Sequence, residues 1–130
     1  MSSHALGSSA LLALINNESG AERVLETVTN DVRSVVCAVN LSEVVAKLSE
    51  RGASEAEIRE ALNIPRLEIV DFDVDLAYRC GLLRPLTTSL GLSLGDRACL
   101  ALAQRLGLPV LTADRAWASL RLNVTIQVIR

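Results

Sequence analysis

Three acidic residues are spaced so that they could hold a divalent metal ion. Glu43 follows the apolar run 34–39, Asp96 opens a segment with helical periodicity, and Asp114 follows the apolar run 109–111. If these runs are parallel strands, the acids lie outside the carboxyl ends of the strands, where open sheets bind ligands. Carboxylates that lie close together repel one another, and a hard cation usually compensates them. The pattern predicts a Mg2+ or Mn2+ site and metal-assisted phosphodiester hydrolysis.

Each acid also has a purely structural interpretation. Asn40 with Glu43, and Ser93 with Asp96, have the spacing of a capping box, and Asp114 could cap a short helix. For any single acid, capping is the commoner role. Caps that arose independently would be distributed over both ends of a sheet, whereas these acids gather at the end where a ligand site is expected. Their joint position favours a functional site.

The elements that must position these acids alternate between strands and helices. Helical periodicity is strongest in 53–63 and 93–107. Strands separated by helices indicate right-handed crossovers and a mostly parallel sheet covered on both faces. We therefore predict a three-layer α/β/α sandwich with four or five strands, at 4–6, 34–39, 67–72 and 109–111, with 125–129 as a further edge strand.

Composition limits the class of protein. The 130 residues are half hydrophobic with no linker, which predicts a single domain over 1–130. The net charge of −2 excludes a strong basic field, so nucleic-acid binding would need a local patch or a metal. No apolar run reaches the roughly 20 residues of a membrane span. Neither a zinc motif nor a signal peptide is present, so we expect free thiols in the cytoplasm, at Cys37, Cys80 and Cys99.

Several stretches together resemble PIN-domain ribonucleases of the VapC toxin type. They are SALLALIN, NLSEVVAKL, LGLSLGDRACLALAQRLGLPVLTADRAW and the final VIR, so the resemblance extends over nearly the whole chain. It implies a Mg2+- or Mn2+-dependent endoribonuclease toxin that cleaves RNA. It also implies a cognate VapB-type antitoxin that covers the site, promoter DNA binding only through that antitoxin, and a homodimer. The aliphatic segment 10–15 is a candidate for the dimer face.

The resemblance also assigns site residues. In that family an Asp after strand one, a Glu after strand two, an Asp at the start of a later helix and an Asp after strand four surround the metal. Glu43, Asp96 and Asp114 match the last three positions and are the expected catalytic and metal-binding residues. Gly7 occupies the first position, so we expect weak or absent cleavage. The structural alternative is an ordinary strand-ending glycine with positive φ.

Further residues near these positions receive weaker assignments. Ser9 matches the small hydroxyl residue near the family's metal and either supports a ligand or caps a helix. Arg97 and Arg115 each follow a matching acid and are candidate contacts for RNA phosphates. Asp73 and Asp75 begin a helical segment, and we interpret them as helix caps rather than metal ligands.

Other function classes fit less well. A phosphoacceptor receiver domain needs an acidic pair after strand one and a late lysine, whereas the chain has Gly7-Ser8 there and only Lys47 as a lysine. A flavodoxin-like nucleotide binder needs a phosphate-cradling loop, which the sequence lacks. The remaining alternative is a PIN-fold protein that binds antitoxin or RNA without cleaving, and RNA cleavage would discriminate between these two functions.

Overall fold

The computed structural model describes residues 2–130 and contains one five-stranded sheet. Its order is β3-β2-β1-β4-β5, and every neighbouring pair is parallel. Helices cover both faces, which confirms the predicted α/β/α class and the additional edge strand. The strands are β1 Ser3–Leu6, β2 Arg33–Cys37, β3 Leu67–Val70, β4 Val110–Thr112 and β5 Ile126–Val128.

Seven α-helices connect or follow the strands. They are α1 Ser8–Ile15, α2 Ala21–Asn30, α3 Ala38–Glu50, α4 Glu55–Ala61, α5 Val74–Leu82, α6 Arg84–Thr87 and α7 Leu94–Leu106. Short 3-10 turns form at Thr88–Leu90 and Arg115–Ser119. Among residues 2–130, no helix combines the length and the apolar character that crossing a membrane requires.

Two predicted strands extend too far. The run 34–39 ends as a strand at Cys37, and α3 begins with the next residue. The run 67–72 ends as a strand at Val70, which is the register partner of Cys37. The two strands therefore stop opposite each other. The β-branched residue at position 39 does not prolong β2, because it already belongs to α3.

The core consists of two layers, one on each face of the sheet. Because successive strand residues point to opposite faces, neighbouring core residues contribute to different layers. One layer contains Ala5, Val35 and Val110 under α5 and α7, and the other contains Leu6, Val36 and Leu111 under α1 and α3. Ala10, Leu11 and Ala13 of α1 are fully buried. Leu12, Leu14 and Ile15 of the same helix are half-buried, so a dimer face at 10–15 stays a prediction.

The parallel arrangement brings several connections to one edge of the sheet. Gly7 is the only residue between β1 and α1, and α3 follows β2 directly. The chain leaves the neighbouring strand β4 just before Asp114. The predicted site residues therefore belong to the carboxyl edge of the three central strands.

Candidate active site

Gly7 lies at the end of the central strand with an ordinary backbone conformation. Its φ of −74° and ψ of 164° are accessible to any residue. The interpretation of Gly7 as a positive-φ turn glycine is therefore wrong. A Cβ built at this position would lie 3.5 Å from the Leu111 carbonyl oxygen, 3.8 Å from Cys99 Sγ and 3.9 Å from the Trp117 ring. These are normal contact distances, so neither the backbone nor the space requires glycine here.

Glu43 is held in place by one polar side chain of α1 and one of its own helix, α3. Its Oε1 accepts hydrogen bonds from Ser8 Oγ and from Asn40 Nδ2, the latter at 3.1 Å. On its other side lies Gly95 in the first turn of α7, and a Cβ on Gly95 would overlap the Glu43 carboxylate. The half-buried carboxylate thus fits between the start of α1 and the start of α7.

Asn40 is the buried centre of this polar group. It lies inside α3, whose N-cap is Cys37, so the predicted capping box of Asn40 and Glu43 is wrong. Its Nδ2 instead donates to Glu43 Oε1, to the Gly95 carbonyl oxygen at 2.9 Å and to Ser8 Oγ at 3.2 Å. Its Oδ1 has no hydrogen-bond partner among the described residues.

Ser8 and Asn40 were not predicted as site residues. The spacing of Asn40 and Glu43 was the available signal, because residues three apart share one face of a helix. Ser8 had no comparable signal, since its contact with Glu43 depends on how two helices pack.

Asp96 follows Gly95, the neighbour of Glu43, in the first turn of α7. Its Oδ2 accepts from the Ser93 amide at 3.0 Å, and Ser93 Oγ accepts from the Asp96 amide at 3.2 Å, which confirms this capping box. Burial raises the pKa of the Cys99 thiol, and the charges of Cys37, Asp96 and Glu43 raise it further. The same thiol is a close neighbour of Gly7. The Cys99 thiol thus lies close to Gly7 and is influenced by the charges of Glu43 and Asp96.

Asp114 and Ser9 form the other side of this edge. Asp114 Oδ1 accepts from the Ala116 amide at 3.0 Å, which confirms that Asp114 caps a short helical turn. Ser9 Oγ accepts from the Ala113 amide at 2.9 Å and lies 3.3 Å from Thr112 Oγ1. Gly7 is the N-cap of α1, so Ser9 does not cap that helix. Ser9 instead ties α1 to the end of β4, just before Asp114.

The donor atoms at this edge are of the chemical type that binds a hard cation. They are carboxylate and hydroxyl oxygens, and Mg2+ is usually bound through one or two carboxylates with retained waters. Within residues 2–130, however, no three His, Cys, Asp or Glu side chains form a group that could hold one metal ion. Glu43, Asp96 and Asp114 each accept hydrogen bonds inside the chain. Their role as a shared ligand set stays a prediction.

The two predicted RNA-contacting arginines differ in their surroundings. Arg97 is only 9% exposed, and its Nη1 donates to the Cys80 carbonyl oxygen at 3.1 Å. The prediction for Arg97 is wrong, because the turn of α7 directs its side chain against α5 and away from solvent. Arg115 is exposed, and its Nε donates to the Arg130 carbonyl oxygen at 3.0 Å. A phosphate contact by Arg115 stays a prediction.

Asp73 caps α5, as predicted, whereas Asp75 lies inside the first turn and pairs with arginines instead of capping the helix. Asp73 Oδ1 accepts from the Leu76 amide at 2.8 Å at the start of α5. This amide, followed by the guanidinium of Arg105, lowers the pKa of Asp73. Hydrogen bonds from Arg79 and then from Arg105 lower the pKa of Asp75. Both acids are thus stabilised as anions by α5 and α7.

The arrangement of this edge can be compared with known families. The profile of the PIN domain family matches residues 6–122, which include the whole polar group described above. The chain belongs to the PIN domain family. No curated protein matches the sequence significantly.

Solved structures of other PIN-fold proteins share the architecture. The DNA-bound VapBC of Salmonella typhimurium is 22% identical, with a TM-score of 0.76 and all of both chains covered. VapBC2 of Rickettsia felis, bound to a promoter DNA fragment, is 21% identical, with a TM-score of 0.71 and 97% and 98% of the two chains covered. VapC20 of Mycobacterium tuberculosis, described as a toxin that cleaves the Sarcin-Ricin loop, is 14% identical, with a TM-score of 0.72 and 94% and 98% covered. These similarities show a shared fold.

Proposed function

We propose that this PIN-domain chain is the toxin of a toxin–antitoxin pair, built as a metal-dependent endoribonuclease whose cleavage is impaired by Gly7. The observation that carries the proposal is the position of Gly7. It ends the central strand in a conformation open to any residue, where an added Cβ would make only ordinary contacts, beside the thiol that Glu43 and Asp96 influence. A missing carboxylate explains this glycine better than a backbone requirement does.

In the proposed site, Asp96, Asp114 and Glu43 would hold Mg2+ or Mn2+. When bound, such an ion supplies charge for the phosphate oxygens and lowers the pKa of a bound water. The chain's own contribution is orientation. Ser8 and Asn40 fix the Glu43 carboxylate, and the capping box of Ser93 fixes Asp96. Arg115 is the exposed cation nearest in sequence to Asp114 and the remaining candidate for an RNA phosphate contact.

Partners are proposed from the structures that share the fold. Two of them contain a VapB with its VapC on DNA, which supports a cognate VapB-type antitoxin for this chain. Promoter DNA binding through that antitoxin agrees with a net charge of −2, which gives the chain itself no strong attraction to a phosphate backbone. RNA as substrate is supported by the toxin of Mycobacterium tuberculosis. We also propose a homodimer.

The second candidate function is binding of antitoxin or RNA without cleavage. It is favoured by the lack, among residues 2–130, of three acidic or other ligating side chains grouped for one metal ion. Gly7 leaves the centre of the sheet edge without a carboxylate, so the cation would be held more weakly than in a site with all four acids.

Restoring the carboxylate tests the proposal. Gly7→Asp should raise Mg2+- or Mn2+-dependent RNA cleavage by about 10- to 100-fold or more, the scale that even outer-sphere changes reach. The matched control is Gly7→Asn, which has the same shape without the charge, and it should not gain cleavage. A Gly7→Asp, Asp96→Asn double variant should lose the gain. Equal cleavage by the original chain and Gly7→Asp would contradict the proposal, whereas antitoxin binding with no cleavage by either would favour the second function.

A further inference from the structure

Three arginines from separate parts of the sequence meet around the end of the edge strand β5. Arg23 of α2 donates from Nη1 to the Val128 carbonyl oxygen at 3.3 Å, and Arg115 donates from Nε to the Arg130 carbonyl oxygen at 3.0 Å. Arg130 itself donates from Nη1 to the Ser19 carbonyl oxygen at 3.3 Å. We call Arg23, Arg115 and Arg130 the basic rim. Hydrogen bonds to the main chain fix each of these side chains in place.

The basic rim lies next to the candidate site, one strand further along the sheet. Val128 is the register partner of Thr112, and the Ile129 amide donates to the Thr112 carbonyl oxygen at 2.9 Å. Thr112 ends β4, and Asp114 and Arg115 follow it closely in the chain. Neighbouring strands of a sheet lie about 4.8 Å apart. The rim therefore borders the side of the candidate site on which Asp114 lies.

The rim keeps most of its hydrogen-bond donors and most of its charge available. A guanidinium has five N–H donors, and Arg23 and Arg115 each use one of them within residues 2–130. Both side chains are exposed, and in the same part of the chain neither forms an ion pair with a carboxylate. Arg130 has one carboxylate at some distance, with Glu18 Oε1 3.9 Å from its Nη2. Three positive charges thus share a single ion-paired acid.

Protection of the strand edge explains only part of this arrangement. Charged side chains often cover an exposed edge, but a neutral donor such as glutamine would satisfy a main-chain carbonyl equally well. Like charges that are placed together repel one another, and a bound anion compensates them. The planar guanidinium fork matches the oxygens of a phosphate group. The arrangement therefore suits a ligand that carries several phosphates.

RNA is the ligand of this kind that the proposed function supplies. With a net charge of −2, the chain needs a local basic patch to attract a phosphate backbone, and the rim provides one beside the acids. We propose that the basic rim binds the RNA phosphates that follow or precede the phosphate held at the acidic site. This inference rests on RNA as the substrate in the proposed function, and it does not depend on cleavage.

The salt dependence of RNA binding tests the rim. Fluorescence anisotropy would follow a labelled oligouridine of about 12 nucleotides with the whole original chain, in EDTA and at several KCl concentrations. Each phosphate contact to a single strand contributes about 0.7 to the slope of log K against log salt concentration. Arg115→Gln should lower the slope by about 0.7, which is about fivefold in affinity at 0.1 M salt relative to 1 M. A variant with all three arginines replaced by glutamine should lose a slope of about 2 and about 100-fold in affinity.

Two further variants separate the role of charge from a structural role. Arg51→Gln is the matched control, because Arg51 is exposed and directly follows α3, whose 13 residues extend about 20 Å from the carboxyl edge of the sheet. It should leave the slope and the affinity unchanged. Arg115→Lys keeps the positive charge and should keep the slope, although it loses the fork. Thermal melting followed by circular dichroism checks that each variant is folded.

Several results would overturn the rim. They are an unchanged slope in the folded Arg115→Gln and triple variants, an equal loss in Arg51→Gln, and no RNA binding by the original chain. Displacement of the RNA by an oligoglutamate of equal charge would overturn RNA as the ligand and indicate an acidic protein segment instead. Because the assay needs neither metal nor cleavage, it fails separately from the cleavage assay of Gly7→Asp.

Discussion

Gly95→Ala should destabilise the chain although alanine is the better helix former. The added Cβ would occupy the space of the Glu43 carboxylate, so that side chain must swing away. The movement breaks the hydrogen bonds that Glu43 accepts from Ser8 and Asn40. Helix α7 itself should remain intact, because Gly95 lies in its first turn and alanine is a better helix former than glycine.

The size of the effect follows from opposing contributions. A hydrogen bond to a charged group contributes about 1.5–3 kcal/mol. Water replaces part of this loss for the half-buried Glu43, so two bonds together account for roughly 2–4 kcal/mol. Replacing glycine by alanine in a helix returns about 0.5–1 kcal/mol. We expect Gly95→Ala to lower the free energy of unfolding by roughly 1–3 kcal/mol.

The matched background is Glu43→Ala, which has no carboxylate to displace. In that background Gly95→Ala should raise the free energy of unfolding by about 0.5–1 kcal/mol, because only the helix preference remains. The sign of the effect therefore reverses, and the double-mutant cycle gives a coupling of roughly 2–4 kcal/mol. Urea unfolding followed by far-UV circular dichroism measures all four chains at one concentration. The same change in both backgrounds would refute the contact between Glu43 and Gly95.

Three further outcomes follow from burial and charge. The pKa of Asp73 is held below its ordinary 3.8, so the ionised carboxylate contributes to stability above that pH, and the contribution is lost as the pH falls through the lowered pKa. Asp73→Asn should therefore weaken the fall in the free energy of unfolding at acid pH, measured by urea unfolding. An unchanged pH dependence would contradict this. Burial raises the pKa of the Cys99 thiol, so a thiol reagent at about pH 8 should label it only after unfolding, and prompt labelling of the folded chain would show that the thiol is accessible. Trp117 is 2% exposed, so Trp117→Leu should lower stability by about 1–3 kcal/mol without a selective loss of RNA binding in the folded protein, as measured by thermal melting and RNA titration.

The fold was predictable because its strands are short apolar runs separated by strong helical periodicity. The residues that end each strand were less predictable. Val39 ends the apolar run 34–39, yet it lies in α3, and the neighbouring strand stops at Val70 opposite Cys37. Such ends depend on pairing between distant segments, which local sequence does not encode.

The acids of the candidate site could be selected from the sequence, but the contacts of their neighbours could not. The order of the acids is visible in the sequence, the gap at Gly7 is implied only by the resemblance to VapC-type ribonucleases, and the shared metal site stays a prediction. The burial of Arg97 depends on where α5 packs against α7, and the contacts of Asn40 depend on a glycine 55 residues away. Helix α5 is likewise exposed on one side, at Val74 and Tyr78, and packed on the other, at Leu76 and Cys80.

The position of Gly7 also determines how the proposed loss of an acid would affect the fold. Gly7 is the N-cap of α1, and it offers no side chain to the free amides of the first turn. At such a position aspartate is among the best residues, alanine costs about 1 kcal/mol, and glycine costs only a few tenths. Among residues without a side-chain oxygen, glycine therefore removes the carboxylate with the least harm to the helix. Under the proposed function, a chain with glycine here would keep its fold and its partner surfaces while cleavage is lost.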